Sequence, residues 1–132
     1  MKISTKHWLE FGKADLLNCE KILDDVFLTN IVAFHSQQAV EKCFKALIDE
    51  KDLTIPKVNN LIRLYDLIEI YLVHPIDTIA LLSLDNVYIS SRYPGDIGLV
   101  ESGKPTLQEA RGLYESAKNI FDTIVKLLEK LP

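Results

Sequence analysis

The sequence predicts an all-α protein, an up-and-down bundle of four to five helices. Apolar residues recur at spacings of three and four along most of the chain, and no segment alternates with a period of two. The last of these patterns is unbroken: Leu107, Ala110, Tyr114, Ala117, Phe121, Ile124, Leu128 and Leu131, widened by Leu113, Ile120 and Leu127. A stripe that long must pack against other helices over its whole length. No Asn-Gly hairpin signal offers a β alternative.

Length and composition bound the rest. A chain of 132 residues reads as one domain, 1–132, long enough to bury a real core. Hydrophobic residues at 48% and charged residues at 26% are ordinary for a soluble globular protein. A net charge of −4 argues against a broad phosphate-binding surface, although a local basic groove stays open. Cys19 and Cys43 lie on apolar helical faces and read as small core residues. No Cys or His cluster has metal spacing, so neither a metal nor a cofactor is expected. The N-terminal stretch is broken by charges and does not read as a signal peptide. No apolar run reaches the ~18 residues of a membrane span, so a cytoplasmic protein away from the membrane is expected.

The first helix is expected over Thr5–Phe27, capped by the hydroxyl of Ser4 or Thr5. Trp8, Phe11, Cys19, Ile22 and Val26 form its apolar stripe, with Asp15 at the centre. Thr29 or Asn30 should cap the second helix, which ends near Lys51. Residues 51–58 hold Pro56 and read as a connector. Asn59 and Asn60 are caps for the third helix, expected over Asn60–Leu72, with Leu61, Leu64, Leu67, Ile68 and Tyr71 on one side. His74-Pro75 interrupts it, because the residue before proline avoids helical geometry. Asp77 then caps a fourth helix, Thr78–Ser91, whose inward face runs Leu81, Leu84, Tyr88, Arg92. Residues 92–105 carry three of the five glycines and two of the five prolines and form a loop. No strand precedes GDIGLVESG, so it is not a phosphate-binding loop. Thr106 and Glu109 have capping-box spacing and open the last helix, which runs to Lys130.

The second helix is the anomalous one. At ~100° per residue its apolar side chains sweep a very broad arc. His35, Gln38, Lys42, Lys45 and Asp49 occupy the narrow polar face. Gln37 and Glu41 do not; they project one turn apart into the apolar side. A carboxylate there needs a partner, since an unpaired buried charge costs several kcal/mol. Asp15, Glu41 and Arg92 are therefore expected to converge, with Gln37 beside them, because one guanidinium can bind two carboxylates. Such a cluster serves either as an ion network that sets helix register or as a polar cleft in which Arg92 binds phosphate. Lys42 and Lys45, one turn apart, can face one anion or simply meet solvent.

The stretch FHSQQAVEKCFKALI, residues 34–48, resembles the second-helix signature of HEPN domains. ADLLNCEKIL in the first helix, SRYPGD at 91–96 and the run ARGLYESAKNIF in the last helix extend the resemblance over nearly the whole chain. The resemblance implies a four-to-five-helix bundle and a homodimer, and the wide arc of the second helix is a further reason to expect a dimer. It also implies a partner, a small nucleotidyltransferase, in a toxin–antitoxin-like pair. Many HEPN proteins are metal-independent endoribonucleases with an R-x(4–6)-H motif, in which arginine binds the scissile phosphate and histidine moves the proton. This chain departs from that motif: the three histidines, His7, His35 and His74, all precede Arg92, and Ile97, Gly98 and Leu99 stand where the histidine falls. A hydrocarbon cannot shuttle a proton. The expected function is therefore a dimeric partner of a nucleotidyltransferase, its own catalysis uncertain. The alternatives place Arg92 at the dimer cleft: a ribonuclease, with Arg92 on phosphate and Asp96 or Glu41 as base, or a module that binds nucleotide or RNA there with Arg92, Lys42 and Lys45.

Overall fold

The computed structural model describes residues 1–92 and 104–131, and for 88–92 the backbone alone. Five α-helices follow one another: α1 (Ile3–Ile22), α2 (Thr29–Glu50), α3 (Leu61–Ile68), α4 (Thr78–Arg92) and α5 (Leu107–Lys130). A 3-10 turn, Glu69–Tyr71, extends α3. Among the described residues there is no strand, and the expected all-α bundle is the fold.

α2 sits at the centre and packs against α1, α3, α4 and α5. This explains its broad apolar arc: Val32, Val40, Phe44, Leu47 and Ile48 are all fully buried within this one chain. The arc is thus consumed inside the chain, and it gives no reason of its own to expect a dimer. Against α2 lies α1, at a distance set by Gly12. A Cβ on Gly12 would meet Phe121 Cε2 at 2.6 Å and the Ala39 carbonyl oxygen at 3.3 Å, so only hydrogen fits this crossing.

The expected stripe of α1 holds in part: Cys19 is buried, Trp8 and Ile22 pack against the core, and Asp15 is buried at its centre, while Phe11 is 65% and Val26 69% exposed. Gly12 and Leu16 take inward places beside them. The helix also stops at Ile22 rather than Phe27, because the Asp25 carboxylate accepts the Phe27 N–H at 2.9 Å and turns the chain. Its cap is Lys2, not Ser4 or Thr5. Thr5 is buried and donates toward Asp49 and Glu50 at the end of α2. Lys2 Nζ bonds the Asp49 carbonyl at 2.9 Å, a cation where the α2 dipole is negative. At the other end of α2 the cap is Leu28, without a side-chain bond, and Thr29 lies inside the helix.

Further along, the caps follow the sequence. Asn60 accepts from Arg63 N–H at 3.1 Å. Asp77 accepts from Ile79 N–H at 2.9 Å. Thr106 and Glu109 close a reciprocal capping box, at 3.1 and 2.8 Å. Leu67, expected on the inner side of α3, is 41% exposed, and Tyr65 takes an inner place instead. Its hydroxyl accepts the Ile76 N–H at 2.9 Å and ties the α3–α4 connection back to α3. Leu81 and Leu84 are fully buried.

Candidate functional site

Two polar networks cross α2, one on each flank. The first joins α1 to α2. Asp15 is 7% exposed, and its two oxygens go to different partners: Oδ1 lies 2.7 Å from His35 Nδ1, and Oδ2 accepts from Lys42 Nζ at 2.7 Å. His35 and Lys42 stand seven residues apart, two turns, which puts both on one edge of α2. A carboxylate paired with an ammonium accepts only, so the imidazole hydrogen sits on Nδ1. Nε2 is then the ring position left for another group. Phe34 meets the His35 ring edge-on at 5.1 Å.

The second network runs from α2 to the start of α3. Glu41 Oε2 accepts from Lys45 Nζ at 3.3 Å. Gln38 Nε2 reaches Gln37 Oε1 at 3.0 Å and stands 3.5 Å from Glu41 Oε1. Gln37, fully buried, donates from Nε2 to the Asn59 carbonyl at 2.7 Å and to Asp85 Oδ1 at 3.2 Å. Asp85 on α4 closes the chain by accepting the Leu61 N–H at 2.9 and 3.2 Å. That N–H is among the orphan donors at the head of α3. Burial pushes Glu41 above the usual carboxylate value, opposed by Lys45, Lys42 and Gln38. Burial also raises Asp85, opposed by Gln37 and the N–H groups of Leu61 and Ile62.

Among the described residues, Asp15 and Glu41 each take their own lysine from α2. The side chain of Arg92 lies outside the described residues, as does Asp96. Lys45, expected on the solvent side, is 8% exposed, because its stem passes Trp8, with Nζ 5.8 Å from the ring centre. Lys42 and Lys45 are therefore each held by a carboxylate rather than presented together to one anion. The residue that sequence reasoning missed is Asp85. Its signal was present: Asp85 stands four residues after Leu81 and next to Leu84, both buried.

A cleft of about 400 Å³ lies elsewhere, between α1 and α5, over a floor that includes Leu9, Leu16, Phe121 and Val125. Among the described residues no group of His, Cys, Asp and Glu has the geometry of a metal site. No helix among them is long and apolar enough to cross a membrane.

A helical bundle built around a polar-studded central helix defines the class, and comparison with known proteins gives the family. The HEPN domain model matches residues 5–128. The chain belongs to the HEPN domain family. Its fold is similar to that in the crystal structure of TT1696 from Thermus thermophilus, with a TM-score of 0.73 at 22% identity over 93% of this chain and 97% of that one. No curated protein matches the sequence.

Proposed function

We propose that this HEPN protein is a dimeric partner of a small nucleotidyltransferase in a toxin–antitoxin-like pair and does not itself cleave RNA. The observation that carries this reading is the order of residues in the chain: His7, His35 and His74 all precede Arg92, so the arginine has no histidine after it to move a proton. The pairing of Lys42 with Asp15 and of Lys45 with Glu41 supports it, since neutralised lysines add little to phosphate binding. The test is a neighbouring open reading frame with a G-S and D-x-D nucleotidyltransferase signature, co-expressed with this chain. Co-elution of the two proteins is expected, with RNA left intact by the purified chain. RNA cleavage that disappears in Arg92→Ala establishes the ribonuclease instead.

A further inference from the structure

The Asp15 network orients an imidazole and leaves its second nitrogen open. His35 Nδ1 is bound to the Asp15 carboxylate at 2.7 Å. Lys42 holds the other oxygen of that carboxylate at 2.7 Å, which limits its swing off the ring. Phe34 stands edge-on to the imidazole at 5.1 Å and restricts its rotation. With the hydrogen on Nδ1, Nε2 carries the lone pair. The His35 side chain is 27% exposed and stands outside the clefts along α1, α4 and α5. A histidine that catalyses works in a cleft that orients its substrate. An oriented imidazole on an open helix edge suits the opposite role, since another molecule can bring a reacting group to it.

We propose that His35 is a phosphoryl acceptor, with Nε2 as the nucleophile, a phosphoramidate as the donor and Asp15 as the positioning residue. This goes beyond the reading above, which assigns His35 no task. The Nε2 lone pair forms a new N–P bond while the donor's own P–N bond breaks, and the donor's amine leaves with that electron pair. The hydrogen on Nδ1 stays where it is. The ring therefore gains a positive charge, and it does so against the Asp15 carboxylate, which strengthens the existing hydrogen bond. One N–P bond replaces another, so the transfer can run in either direction. The class of group follows from the neighbours. The edge of α2 that carries His35 also carries the Lys42 ammonium, which favours a group with anionic oxygens on the ring. A neutral alkyl or acyl group would gain nothing from that cation.

Phosphoramidate itself is the probe, incubated with the full chain. The label is mapped by mass spectrometry of its peptides at neutral to alkaline pH, where an N–P bond on histidine survives. His7 and His74 are internal controls. Both are exposed, and among the described residues His35 is the histidine whose ring is bound to a carboxylate. His35 is expected to take the phosphoryl group at least ~10-fold faster than either control, the scale of one transition-state hydrogen bond. Asp15→Asn keeps the shape of the side chain and removes its charge. It is expected to bring the His35 rate down to that of the controls, with His7 and His74 unchanged, which a purely structural Asp15 would not do. Labelling that follows exposure, with His7 or His74 ahead of His35, overturns the proposal, as does a His35 that takes no label. An Asp15→Asn chain that labels His35 as fast as the wild type removes Asp15 from it. The wild-type ranking decides even where the variant does not fold.

Discussion

Asp15 and Asp85 approach α2 from α1 and α4, and both are largely withdrawn from water, at 7% and 9% exposure. Asp15 is met by the side chains of His35 and Lys42, which remain 27% and 21% exposed. Asp85 is met by a backbone N–H and by the amide of Gln37, and neither has water within reach as an alternative. The difference teaches that burial of a carboxylate is not the measure of its importance. What matters is whether its donors can turn elsewhere when it is gone. A lysine or histidine at the rim swings into solvent, but a backbone N–H at a helix start cannot.

The largest expected effect breaks the Asp85 side. Asp85→Ala leaves Leu61 N–H without its acceptor and removes one of the two acceptors of the Gln37 amide N–H group, and it should destabilise the fold by about 3 kcal/mol, read as a shift in the urea midpoint with unchanged slope. Next comes the crossing that brings Asp15 to α2. Gly12→Ala drives a methyl toward Phe121, with a loss of about 1–2 kcal/mol after the helix-propensity gain is subtracted. Asp15→Ala should be milder, at about 1 kcal/mol, because both of its donors reach water. A loss for Asp15→Ala as large as that for Asp85→Ala would erase the distinction. The smallest effect sharpens it by pH. Asp85 titrates above its ordinary 3.8 in the folded chain, so between those two values the folded state holds more protons than the unfolded one. Its contribution to stability therefore falls as pH rises through that window. The stability difference between wild type and Asp85→Asn, followed by urea denaturation from acid upward, should shrink accordingly.

Most of the helical frame was legible because its signals are local. Asn60, Asp77 and the Thr106–Glu109 box are capping groups whose partners lie two or three residues away, and α5 declares its buried side through an unbroken spacing. α1 was legible in part. Cys19, Ile22 and Trp8 of its stripe pack inward around Asp15, but Phe11 and Val26 face solvent, and Gly12 and Leu16 take inward places, Gly12 directly against Phe121. Periodicity counts large apolar residues and is blind to a glycine that packs by being absent. The polar site was half legible. Asp15, Gln37 and Glu41 stood out as polar residues on apolar faces and are all buried. Which cation each acid takes depends on tertiary register, and the sequence contains several lysines that satisfy the same rule.

The seam between α1 and α2 also carries its own reporter. Trp8 is the one tryptophan in the chain, and the Lys45 ammonium stands 5.8 Å from its ring centre while it binds Glu41. A cation at that position perturbs the indole's excited state. Its fluorescence therefore registers whether this one pair of helices is zipped together, and comparison with whole-chain circular dichroism shows whether the seam opens before the rest of the bundle.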